Sequence, residues 1–323
     1  MEDAKFTKAQ IKLLNCIYHH NRESLSQLAK HSGLSRKKVD YNLNNFVRKG
    51  IIKKFFPVIN YSKLDYKSFT IMFIKFNKSK YIEEFKKEHK RDSSWFSRGN
   101  IYGKYDIFVN LIFKNEKERN EYLSSLLSKN RETISDYLIL EPYFSELFPL
   151  KFLENKKENS FVLIDSSSKT ITLDEKEKKI LKALEKDGRA KIIDIAKSSN
   201  ISAELATYKI KQLQKDGILL GTRVQFDMKK LGYNYTVLLI NFKHFSSSLE
   251  KRIKDFSRNH KFVNSLGLMF SKPNCTIQFF YKNEDELRNS ISDFKKHFDD
   301  EAFDFDILHV EDEEEIHVLP FLN

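Results

Sequence analysis

Between Ser35 and Lys54 the chain sets Arg36, Lys37, Lys38, Tyr41, Asn42, Asn45, Arg48, Lys49, Lys53 and Lys54 against a single acid, Asp40. Cations at this density neutralise phosphates; Arg or Lys can also read guanine, and Asn can read adenine. The chemistry indicated is a grip on double-stranded nucleic acid. A thinner version of the set recurs downstream in Ser202, Tyr208, Lys209, Lys211, Lys215 and Arg223, diluted by Glu204 and Asp216. The formal net charge of +12 favours a polyanionic partner as well.

The recurrence is not local. Phe6–Tyr66 aligns without a gap on Leu173–Tyr233, an offset of 167, with 13 of 61 positions identical. Among the identities are Arg22/Arg189, Ser35/Ser202, Tyr41/Tyr208, Gly50/Gly217, Lys63/Lys230 and Tyr66/Tyr233. A match of that length marks a duplicated module, so each half is read against the other.

The elements that must carry these residues follow from periodicity. Ala9–His20 places Ile11, Leu14, Ile17 and Tyr18 at helical spacing, and Leu25–His31 forms a short second helix. Ser32-Gly33-Leu34-Ser35 makes a tight turn that offers Ser35 as a cap. The third helix, Arg36–Lys49, buries Val39, Leu43, Phe46 and Val47; Gly50 stops it, and a strand ends at Pro57. Three short helices and an extended hairpin describe a winged helix-turn-helix. The second copy repeats it, with Asn200 in place of Gly33.

After each helical unit the pattern changes to strand, charged helix, hairpin, helix and strand. Phe69–Phe76 and Tyr235–Phe242 open the two series; Tyr137–Leu140 and Asp304–Val310 close them. The order β-α-β-β-α-β is ferredoxin-like, so the chain is expected to be α+β. One face of each sheet is left apolar, and the other copy is its natural cover. The expected boundaries are helical units at 1–60 and 171–227, sheet units at 61–153 and 228–323, and a join at 154–170. Within the join, Phe161–Ile164 reads as an added strand. The acidic run Glu311–Glu315 reads as a solvated edge.

A winged helix-turn-helix feeding such a sheet unit resembles the Lrp/AsnC family of transcriptional regulators, and does so twice. The stretch from Leu173-Asp174 through Ile180-Leu181 to Arg189 looks like that family's opening helix, and Leu231-Gly232-Tyr233 fits its entry to the sheet unit; copy one has Leu64-Asp65-Tyr66 there. The family's Arg in mid recognition helix becomes Asn42 in copy one and Lys209 in copy two. The resemblance implies a sequence-specific regulator of double-stranded DNA, built as a pseudo-dimer within one polypeptide. It also implies self-association through the sheets and a small effector such as an amino acid. The hairpin associated with that ligand matches Gly103-Lys104-Tyr105-Asp106; copy two has Ser271-Lys272-Pro273-Asn274 instead.

Other readings are weaker. Siroheme decarboxylases resemble paired Lrp/AsnC units, but their chemistry wants His and Arg at the hairpins. Here Trp95–Phe113 and Val263–Tyr281 hold no His, and Arg98 is their sole Arg. A sensor that has lost DNA binding is the third reading. The histidines have no metal-like spacing, and Cys16 and Cys275 read as buried thiols. No cofactor, metal or catalytic set is expected. No apolar run is long enough to span a membrane, and a cytoplasmic location is expected.

Overall fold

The computed structural model describes residues 6–20, 22–90, 92–153, 160–165, 169–314 and 316–322. Residues 1–5, parts of the expected join (154–159 and 166–168) and Glu315 of the acidic run lie outside them.

Copy one opens with α1 (Lys8–His20), α2 (Leu25–Ser32) and α3 (Arg36–Arg48). Leu13, Leu14, Ile17, Leu28, Val39, Leu43 and Phe46 recur at helical spacing and are all buried; Val47 is exposed, against expectation. Gly33 ends α2 at φ +73°, and the Ser35 hydroxyl accepts from the Lys38 backbone N–H at the start of α3. Next come β1 (Ile52–Ile59), β2 (Ser68–Phe76), α4 (Lys80–Glu88), β3 (Trp95–Tyr102), β4 (Ile107–Phe113), α5 (Glu116–Lys129) and β5 (Ile134–Leu140). Two short strands, β6 (Phe144–Leu147) and β7 (Phe161–Asp165), fill the junction and pair with each other. The apolar quartet of the join is therefore a strand.

Copy two repeats the series as α6 (Glu175–Lys186), α7 (Ile192–Ser199), α8 (Ala203–Lys215), β8 (Leu219–Phe226) and β9 (Asn234–Phe242). It continues with α9 (Ser247–Asn259), β10 (Val263–Leu268), β11 (Cys275–Tyr281), α10 (Glu284–His297) and β12 (Phe303–Val310). Asn200 takes the left-handed conformation of Gly33 (φ +56°), and Asp65 takes that of Gly232 (φ +66° and +79°). Short side chains that bond locally tolerate that region best.

The expected wing is corrected here. β1 does not fold back as a hairpin within its own unit; it runs through Pro57 and pairs antiparallel with β8 of the other copy. In that ribbon Phe56 faces Arg223, its own repeat equivalent at 56 + 167. A residue facing its own copy marks a pseudo-two-fold axis between the strands. Because both strands are edges, Pro57 costs the ladder little.

The two sheets mate in two ways. Their open faces pack together through Phe73, Phe108 and Leu140 of copy one and Leu239, Leu308 and Val310 of copy two, while the helices cover the outer faces. Each copy also lends its last segment to the other's edge. β6 pairs with β10, and β12 pairs with β3 through His309–Tyr102 and Val310–Ile101. Beyond β12 the chain continues along β3 as a strap, with Glu311, Glu314 and His317 donating backbone N–H to the carbonyls of Asn100, Arg98 and Phe96. The acidic run is thus a paired edge, not a solvated one. Its approach is close enough that a Cβ on Gly99 would meet the Asp312 carbonyl at 2.0 Å.

Candidate nucleic-acid interface

α3 buries Val39, Asn42, Leu43 and Phe46 and exposes Arg36, Lys37, Lys38, Asp40, Tyr41, Asn44, Arg48 and Lys49, with Asn45 intermediate. Five cations therefore stand with one acid on a solvent face, and Tyr41, 66% exposed, lies at its centre. Arg48 also donates to Asn45 at 3.0 Å, which fixes the last turn.

The repeat-equivalent face on α8 is poorer. Tyr208 is 63% exposed, and Lys211 and Lys215 reach solvent beside Glu204. Lys209 does not join them. Its ammonium lies 2.5 Å from Asp174 and 3.1 Å from Glu177, the capping-box pair of α6. The hydrogen bond it donates to Asp174, with help from Glu177, holds it above the usual lysine range.

Lys209 and Asn42 occupy the same repeat position, and both turn inward for the same reason. The Gln10 side chain donates to Asn42 at 2.8 Å, and Asn42 donates to the Lys38 carbonyl at 2.6 Å. Gln10 is the repeat equivalent of Glu177. The position clasps the first helix of each head to its third, by an amide pair in copy one and an ion pair in copy two. Neither Asn42 nor Lys209 stands on a face that could read bases.

Arg223 is corrected too. It is 1% exposed, donates to the Tyr18 hydroxyl and the Phe148 carbonyl at 2.9 Å, and lies over the rings of Tyr18 and Phe161. Its place at the pseudo-axis of the ribbon puts it inside the molecule. Lys53, which stays exposed, and Lys54, which is half-buried, donate to the strap carbonyls of Glu313 (2.6 Å) and Ile316 (2.9 Å). Ser35 and Ser202 act as helix caps.

Asn44 was missed by the sequence reading. It is exposed one turn beyond Tyr41, and its repeat equivalent is Lys211. The alignment of the copies was the signal that could have found it.

The heads are held together by reciprocal contacts from identical repeat positions. Arg22 donates to the carbonyls of Gly188 (2.7 Å) and Ala190 (3.1 Å); Arg189 donates to that of Glu23 (3.5 Å). Lys230 donates to the Lys49 carbonyl at 2.8 Å, capping the C-terminus of α3 from the other copy.

At the Gly103 hairpin, Asp106 accepts from the Lys75 ammonium (2.9 Å) and the Phe76 backbone N–H (2.8 Å). Its carboxylate closes the β2–β4 pair, and Gly103 supplies the turn at φ +123°. Both residues thus have a structural role at this hairpin. Cys16 and Cys275 are buried thiols, and no group of three metal-ligating side chains occurs among the described residues. No helix among them is long and apolar enough to cross a membrane.

A family model described as winged helix-turn-helix DNA-binding matches residues 6–53 and 173–219, once in each copy. The HTH-type transcriptional regulator LrpA of Pyrococcus horikoshii is 36% identical over 66 residues, 20% of this chain and 47% of that protein. LrpA of Pyrococcus abyssi is 29% identical over 122 residues, 37% of this chain and 84% of the relative. The match thus spans about half of the first relative and most of the second. Among solved structures, the siroheme decarboxylase NirDL superposes over 97% of this chain and 96% of its own, with a TM-score of 0.63 at 15% identity. At that identity the likeness concerns the fold: both chains carry the same paired architecture.

Proposed function

We propose that the chain is an Lrp/AsnC-type protein with two family units in tandem, a double-stranded DNA-binding transcriptional regulator acting as an intramolecular pseudo-dimer. The observation that carries this reading is the exposed face of α3, where Arg36, Lys37, Lys38, Arg48 and Lys49 surround Tyr41. Copy one supplies most of the affinity. Copy two, with Lys209 consumed inside its own head, places α8 on a weaker half-site. Because the two faces differ, the operator is asymmetric. Tethering raises the effective concentration of the second head and frees it to diverge. Self-association through the sheet units takes place within the chain, and the protein works in the cytoplasm.

The test is binding to random duplex across a salt series. Each lost phosphate contact lowers the slope of log K against log salt by about 0.9. Replacing Arg36, Lys37 and Lys38 together with Ala lowers it by about two to three. Replacing Lys211 and Lys215 changes it less. A wild-type protein with no salt dependence, or the reverse ranking, sinks the assignment.

The decarboxylase reading lacks a comparable observation. The cavity between the ribbon and the sheets is lined by neither His nor Arg among the described residues, the types that chemistry would use to hold carboxylates and move protons.

A further inference from the structure

Where the β1–β8 ribbon, the two sheets and the strap converge, they line a partly open cavity of about 400 Å³, within the size range of small-molecule sites. Nine aromatic rings line it, among them Phe56, Tyr61 and Phe96 from copy one and Tyr235 and Phe280 from copy two. Four carboxylates, Asp227, Glu311, Asp312 and Glu313, face two lysines, Lys53 and Lys229. In a chain of net charge +12 this interior runs against the average.

The carboxylates are not equivalent. Asp227 lies 3.8 Å from Lys230, and Asp312 accepts from the backbone and side-chain amides of Asn100 at 2.9 and 3.2 Å. Glu313 keeps part of its surface open while lining the cavity. Its side chain meets the neutral groups of Ser97 on β3 and Gln225 on β8, and Lys53 on β1, Asp312 on the strap and Tyr235 on β9 are the titratable groups around it. The Lys53 ammonium donates to the Glu313 backbone carbonyl at 2.6 Å. Burial pushes the carboxyl up to about 7, against the pull of Lys53.

We propose that this cavity binds an organic cation, an ammonium group on an apolar aromatic or alkyl body, with the ammonium at Glu313 and the body against the rings. A desolvated carboxylate gains most from a cationic donor, and aromatic faces attract the same charge. The proposal goes beyond the DNA reading and is read on the protein alone.

Calorimetric titration and thermal shift of the full chain use phenethylammonium as the probe. 2-Phenylethanol and 3-phenylpropionate keep the body and make the head neutral or anionic. Phenethylammonium is expected to raise Tm saturably and to bind at least about tenfold tighter than either. Its affinity rises as Glu313 ionises between about pH 6 and 8, a window in which the probe's amine stays protonated. Glu313→Gln lowers affinity about tenfold and removes that rise, and its own unliganded Tm controls for folding. Lys53→Gln removes the competing cation and tightens the probe. Equal binding of the three probes, preference for the anion, no binding of any, or a Glu313→Gln variant that folds and binds undiminished each overturns the proposal.

Discussion

Residue type did not decide which polar groups are available; position within the helix did. Asn42 and Arg223 have the chemistry of DNA contacts, yet one clasps α1 to α3 and the other lies at the ribbon's axis. Each should therefore act on stability and not on the salt slope. Asn42→Ala removes two side-chain hydrogen bonds in a buried setting and is expected to cost about 1–3 kcal/mol in urea unfolding. Arg223→Ala leaves a void and removes one donor each from the Tyr18 hydroxyl and the Phe148 carbonyl. It is expected to cost more, about 3–5 kcal/mol. If either variant folds fully but binds random duplex with a lower slope, its assignment as structural fails. Helical periodicity placed Lys37, Tyr41 and Arg48 outward and Asn42 with them, but position 42 lies on the stripe between core and solvent, where both outcomes are open, and it turned inward.

Elements behave as shared parts. The core of the first head takes Val224 and Phe226 from β8, and that of the second takes Phe56 and Val58 from β1. The arginine clasp then fixes the heads to each other. Arg22→Ala with Arg189→Ala is expected to lower stability by about 1–3 kcal/mol and to weaken specific DNA binding more than random binding, since only the former needs fixed spacing. Differential scanning calorimetry and anisotropy on a selected site separate the two effects. The strap gives a pH signature. Glu313 has a folded pKa of about 7 against 4.5 unfolded, so between these values the native state holds the extra proton. Its contribution is present below the unfolded value and is lost as pH rises through about 7. Glu313→Gln should flatten that part of the stability curve across pH 4.5–7; an unchanged profile would remove Glu313 from the account.

For the molecule as a whole, the pseudo-two-fold axis through Phe56 and Arg223 relates two heads of unequal charge. One chain should protect two patches of a selected duplex, and hydroxyl-radical footprinting should find the patch under α3 more strongly protected. Equal protection would mean that Lys211 and Lys215 suffice and that charge does not rank the heads.

The repeat, the α+β order, both helix-turn-helix units and the cationic face were legible in the residues, because periodicity, capping and turn chemistry act over a few positions. The left-handed turn at Asn200 and the caps at Ser35 and Ser202 belong to the same class. Pairing partners did not belong to it. A strand such as β1 offers the same backbone groups to its own unit or to the other copy, and only the assembled chain decided for the other. That choice brought Arg223 to the axis, turned Lys53 and Lys54 toward the strap and assembled the aromatic cavity beside Glu313. Contacts between residues far apart in sequence are set by which surfaces meet, and no local pattern encodes that.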